Sequence, residues 1–385
     1  MTSFLVILAG GFVKAFVQGV LTAALAFMAA MPGVGSAYLS AFAGIGAASQ
    51  IVSSLASGFV AERLGLRRVL VSSGVLSVGA ALLFLVSSGG SAWMAANVAK
   101  GLFFGIAAAL LPVLMAATVP VGRIGRASGA FQLSQQVGGV SGAFAGAVVA
   151  GVWGASPAKA LRADFVLMAV PALAFLLLAA RMKVADAFLR ARTSCEEGRC
   201  GLAGCGRAVL FMVFMSACGV GTLLEYSVLI FARRGLEVAA ASGFFVLVNV
   251  LCIGAVALST SLAGRLGETV RVRLGAVGMV VGLSGAGFAH GWSFSGAIAL
   301  AAVSFSFGPG ACAWGLVPRL IAPQFRTRGT AIAIVAGQLV SLLLTTAFLP
   351  VMDCLGLATW LGCFGIIALL MALGAGVIGR KILPV

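Results

Sequence analysis

Charge is what this chain has least of. Only 9% of its 385 residues are Asp, Glu, Lys or Arg, while 62% are hydrophobic, so the polar surface needed to coat a soluble globule of this length is missing. Acids are scarcer than bases, 9 against 25, for a formal net charge of +16. That excess alone invites nucleic acid, but the basic residues punctuate long apolar runs instead of gathering on one face, which excludes a nucleic-acid partner. There is one histidine, His290, beside Trp292 where an interface is expected. Metal-spaced histidines, a Walker loop, a strand-borne dinucleotide fingerprint and a nucleophile with its base are all absent, so no enzyme, catalytic residue, cofactor or metal site is expected. Cys195, Cys200 and Cys205 recur at intervals of five, which is not a zinc spacing. Cys218, Cys252, Cys312 and Cys363 fall in apolar runs and read as small packing residues.

What remains is an all-α membrane protein. Apolar segments of about 20 residues can each cross a bilayer, and twelve are read near 4–27, 37–61, 69–88, 92–119, 127–153, 163–180, 208–231, 240–263, 274–290, 293–318, 329–350 and 356–379. The 53 glycines suit helices that pack closely through small residues. The first span is expected to be an uncleaved helix without a basic leader. Arg63, Arg67, Arg68, Arg123, Arg126, Arg265, Arg271, Arg273, Arg319, Arg326, Arg328, Arg380 and Lys381 fall on one side of the predicted membrane, with the basic residues of 181–207. Only Lys159, Arg162, Arg233 and Arg234 fall on the other. The positive-inside rule then puts both termini in the cytoplasm of a multi-pass protein of the plasma membrane or bacterial inner membrane.

The polar interval 181–207 divides an N-terminal six-helix half, 1–180, from a C-terminal half, 208–385. Two pseudo-symmetric halves that rock around a midplane site are the plan of a secondary transporter. The tenth span is interrupted by Gly308, Pro309 and Gly310, a break tolerated at membrane depth only where other groups satisfy the backbone; Trp314 follows one turn on. Polar side chains inside spans are candidates for the solute site: Gln132 and Gln136 one turn apart, Asn249, and Gln338. Charges inside spans are costly. Lys14 lies too deep for easy snorkelling and is a candidate gating or anion-binding group, Lys100 lies closer to a span end, and Glu225 is read as the only acid within a span.

Three ordered blocks resemble the sugar porter family of the major facilitator superfamily. Gly308, Pro309, Gly310, Trp314 and Arg326 match its helix 10 and following loop, with Arg319 where the family has an acid. Gly58, Glu62, Arg63, Gly65, Arg67 and Arg68 resemble the superfamily's signature loop, echoed by Arg265, Gly267 and Glu268. Gly101, Gly105, Pro112, Pro120, Gly125, Gln132, Leu133 and Gly138 follow the spacing of helices 4 and 5. Departures are Asn97, Ala117, Met215, Ser216 and Gly221, while Gly219, Tyr226 and Phe231 match.

The resemblance implies the major facilitator fold and alternating-access transport of a small polar solute, a hexose or related sugar, by a monomer in the lipid bilayer. Gln132, Gln136, Asn249, Trp314 and Gln338 are its candidate binding residues. Lys14, Glu62, Arg63, Arg67, Glu225, Gly308, Pro309, Gly310 and Arg326 are candidates for gating or coupling. Proton-coupled members carry an Asp in helix 1 where this chain has Val17, so uniport is preferred to proton symport; Glu225 keeps protons open as a partner. The alternatives are an organic anion or drug-like solute, or a facilitator-like sensor that moves nothing.

Overall fold

A computed structural model of the chain describes residues 2–29, 31, 34, 36–87, 90–153, 156–182, 200–227, 230, 238–322 and 325–379. Among them the regular structure is helical: α1 Thr2–Ala29, α2 Ser36–Leu64, α3 Leu66–Val86, α4 Ser91–Thr118, α5 Ile124–Trp153, α6 Pro157–Arg181, α7 Cys200–Ala217, α8 Val220–Glu225, α9 Val238–Leu262, α10 Glu268–Phe288, α11 Gly291–Phe305, α12 Ala311–Leu320, α13 Arg326–Leu355 and α14 Leu357–Gly379. Ten stretches are long and apolar enough to cross a membrane. The other two predicted spans are α5, diluted by Arg126, Gln132, Gln135 and Gln136, and α9, whose described apolar stretch Val246–Leu262 is shorter. Large side chains such as Phe288 (89% exposed), Phe144 (70%) and Leu343 (66%) stand outward, an apolar coat that suits lipid and not water.

The described residues fall into two compact units. Unit 1 comprises Met1–Val119, Ser134–Glu196 and Pro323–Ile332, and unit 2 comprises Pro120–Leu133, Glu197–Ala322 and Ala333–Val385. In unit 1, α2 packs on α4, α3 on α4 and α6, and α1 on α6 and α4. Small residues let the backbones approach. A Cβ at Gly101 would strike Ser49 Oγ and the Gly46 carbonyl, and one at Gly105 would strike Ser53 Oγ and the Gln50 carbonyl. Serines on the same helix supply polar glue: Ser53 Oγ donates to Gly101 O at 3.3 Å and Ser54 Oγ to Gly105 O at 3.1 Å. Two glycines of the sequence block in helix 4 are therefore close-packing positions.

In unit 2, α10 packs on α14 and α11, and α7 on α12 and α14. Its core is apolar and aromatic, with Phe294, Phe348 and Phe364 fully buried. Between α7 and α8 the chain turns at Gly219, whose φ of 70° lies in the left-handed region that favours glycine. A side chain there would also collide with the Phe364 ring.

Several sequence readings lie outside the described residues. They include Lys183, Asp186, Arg190, Arg192, Cys195, Glu196, Glu197 and Arg199 of the linker, as well as Phe231, Arg233, Arg234, Pro323, Arg380 and Lys381. The backbone of Glu225 ends α8, but its side chain is not among those described.

Candidate solute and gating sites

The interrupted span is continuous in the structure. Gly291–Phe305 runs through a π-helical turn, Ser306–Gly310, into α12. Proline cannot donate at 309, and a wider turn absorbs the defect. The glycines are not there for unusual torsions, since neither Gly308 nor Gly310 has a positive φ. The need at Gly308 is proximity: its Cβ would meet the Arg271 carbonyl and Gly275 Cα, and a Cβ at Gly275 would meet Ser304 O, Gly308 Cα and Pro309 Cδ. Two helices cross glycine on glycine at the break.

Just beyond it, a side chain enters the backbone ladder. Ser128 Oγ donates to Ala311 O at 2.6 Å and accepts from the Gly315 N–H at 2.9 Å. These are the two groups that an uninterrupted helix joins to each other. Ser128 is fully buried, so its hydroxyl ties the first turns of α5 to the disturbed helix through both of its polar functions. Nothing in the sequence marked this serine.

One turn further along both elements, Trp314 Nε1 donates to Gln132 Oε1 at 2.6 Å, and Phe131 meets the indole edge-on with centroids 5.4 Å apart. Two candidates read separately from sequence are thus direct partners in unit 2. The bond engages the indole N–H and fixes the ring plane. Gln136, Asn249 and Gln338 are half-buried; Gln338 Oε1 is buried without a hydrogen-bond partner.

A charge cluster lies beside the break. Glu268 Oε2 accepts from Arg319 Nη1 at 2.8 Å, with side chains 8% and 12% exposed. Arg319, which departs from the family's acid, therefore meets an acid on the neighbouring helix: the ion pair is present with this polarity. Arg271 is 0% exposed and donates from Nη1 to Ser259 O at 3.2 Å and Ser259 Oγ at 3.1 Å. A Cβ at Gly125 would lie 3.0 Å from Arg271 Nη2 and 3.4 Å from Glu268 Oε1, so the start of α5 passes at contact distance over this cluster.

In unit 1 the signature loop reaches the start of α13 and the end of α6. Glu62 pairs with Arg328, whose guanidinium also lies 4.9 Å over the Phe59 ring, and Arg63 is exposed. Arg67 Nη2 donates to Ala180 O at 2.6 Å, tying α3 to the end of α6. Arg326 is buried at 2% exposure. Asn97, at the family's Arg position, donates from Nδ2 to Phe42 O at 2.5 Å.

The charges within the spans of unit 1 are treated unequally. Lys100 is 8% exposed, with Nζ 5.1 Å from the Phe104 centroid, a cation–π contact that accounts for it. Lys14 has no ion pair or hydrogen bond among the described residues. Asp164 corrects the reading of Glu225 as the only acid within a span: it lies in α6, fully buried, and neither carboxylate oxygen has a hydrogen-bond partner. The available signal was its place at the start of the span predicted at 163–180. Among the described residues no group of three or more His, Cys, Asp or Glu side chains is placed to hold a metal ion.

The comparisons with known proteins agree with this architecture. No curated protein matches the chain. Among solved structures, the proton:xylose symporter XylE bound to 6-bromo-6-deoxy-D-glucose is similar at TM-score 0.85 and 17% identity, over 97% of this chain and 94% of that one. A variant of the fucose:proton symporter FucP of E. coli is similar at 0.79 and 13%, over 98% of each chain. The inward-open xylose transporter XylE from E. coli is similar at 0.68 and 19%, over 100% and 95%. At these identities the likeness shows the fold, and the Major Facilitator Superfamily profile matches residues 7–345. The chain belongs to the major facilitator superfamily of membrane transporters.

Proposed function

We propose that this transporter moves a small polyhydroxylated solute, a hexose or closely related sugar, by alternating access of the halves 1–180 and 208–385 about the linker 181–207, as a monomer with both termini in the cytoplasm. The observation that carries this reading is the Trp314–Gln132 bond. It offers a ring face held in one orientation beside an amide, the combination that recognises the apolar side and the hydroxyls of a pyranose. Rigid placement before the solute arrives lowers the ordering cost of binding.

Uniport is the proposed mode. The similar solved structures include proton symporters, but the helix-1 position at which proton-coupled sugar porters carry an acid is Val17, 5% exposed and apolar. The test is uptake of radiolabelled hexoses and hexose acids into proteoliposomes, with and without a pH difference. Equilibration of at least one of them, unaltered by the pH difference, is expected. Binding without movement supports a sensor instead, and accumulation driven by the pH difference overturns uniport.

A further inference from the structure

We infer that the solute carries a negative charge, as a sugar carboxylate, and that the ammonium of Lys14 is its counter-ion; this rests on the transport function proposed above. The argument begins with the faces of α1. At 100° per residue, Val6, Val13, Val17, Val20 and Ala24, all 0–5% exposed, form one stripe on the side of α1 that packs on α4 and α6. About a quarter-turn round the helix from it, Phe12 and Phe16 meet α5, whose Gly138 and Gly142 would collide with their backbone if they carried a Cβ. Lys14 and Gln18 are one turn apart on the other side of the stripe, roughly opposite Phe12 and Phe16, and Lys14 is half-buried while Gln18 is exposed. The same flank is covered at Ile7, 0% exposed, and opens along the helix towards Gln18. A lysine and a glutamine at mid-span on lipid are disfavoured, so their flank belongs to the solute path.

The chain supplies no anion for Lys14 among the described residues. Asp164 is the buried acid of α6, but the contact of Gly10 with Phe175 fixes the register of the two helices. Counting 1.5 Å per residue from that contact, Asp164 lies about 10 Å farther along the axis than Lys14, and no ion pair joins them. Lys100 has its ring and the Glu268–Arg319 pair is closed on itself in unit 2. Lys14 is a mid-span cation without a partner among the described residues, and a carboxylate on the passing solute provides one. A neutral hexose leaves the ammonium uncompensated in the loaded state.

The test uses the full chain in proteoliposomes with radiolabelled D-glucuronate and D-glucose as probes. Glucuronate should exchange with at least roughly tenfold higher apparent affinity than glucose, Lys14→Gln should abolish that preference, and Lys14→Arg should restore part of it. A second reading needs no variant: a valinomycin-clamped potassium gradient, inside positive, should accumulate glucuronate in the wild type and leave glucose at equilibrium. Glucose moved as well as or better than glucuronate overturns the anionic solute but leaves the transport reading standing. Glucuronate uptake indifferent to Lys14→Gln overturns the role of Lys14, and movement of neither probe overturns both readings.

Discussion

The two units handle charge inside an apolar protein in opposite ways. In unit 2, Glu268 and Arg319 are paired at 2.8 Å beside a fully buried Arg271 that is bonded to Ser259, so the charges hold neighbouring elements in register. In unit 1, Lys14 sits at mid-span with no partner among the described residues, at an insertion cost of about 2.5–3.5 kcal/mol. The difference separates two uses of the same costly chemistry. A closed pair contributes to structure, whereas the open charge of Lys14 is the one that the proposed anionic solute would complete.

The comparison is broken most severely by opening the closed cluster. Glu268→Ala removes the acid paired with the half-buried Arg319 and beside the fully buried Arg271 and should cost about 3–5 kcal/mol. Thermal unfolding in detergent should show a large drop in Tm, and an unchanged Tm would remove the pair from the structural side of the contrast. The next effect is at Ser128, whose hydroxyl bonds two backbone groups of α12. Ser128→Ala leaves the Ala311 carbonyl and the Gly315 N–H without the shared hydroxyl and should cost about 1–3 kcal/mol. Hydrogen exchange at the Gly315 amide should accelerate accordingly, and unchanged protection would show that the ladder closes without the serine.

Gln132→Ala and Trp314→Ala act on the proposed solute site. Each should weaken solute binding by about 1–3 kcal/mol, roughly tenfold or more, with the variants still folded; equilibrium binding to purified protein checks this, and unchanged affinity in both removes the pair from the site. The smallest effect is expected at Arg328. Its pair with Glu62 is 44% exposed on the arginine side, so Arg328→Ala should change stability by less than about 1 kcal/mol. A loss as large as that of Glu268→Ala would erase the contrast between open and closed charge.

The sequence made much of the architecture legible because apolar length is a one-dimensional property. The described helices fall on the twelve predicted spans, and the weakest of them, α5, is weak because it holds the glutamines. Pairing was harder to read. Gln132 and Trp314 are 182 positions apart, and nothing in either local pattern says that they bond. Gly308 was visible as a break, but its reason is the backbone of α10, which is visible only in three dimensions. Ser128 was invisible because a serine among small residues has the same local signature whether it packs or bonds. Asp164 was overlooked at the edge of an apolar run, where an acid normally reaches water; here it is fully buried.

The contrast is tested most directly by measuring Tm and solute uptake side by side in Lys14→Gln and Glu268→Ala. The account predicts a double dissociation: Lys14→Gln keeps or raises the wild-type Tm and loses preferential uptake of the charged probe, whereas Glu268→Ala loses Tm by several degrees or more. A Lys14→Gln variant that unfolds as readily as Glu268→Ala while its uptake selectivity stays at the wild-type value would contradict it.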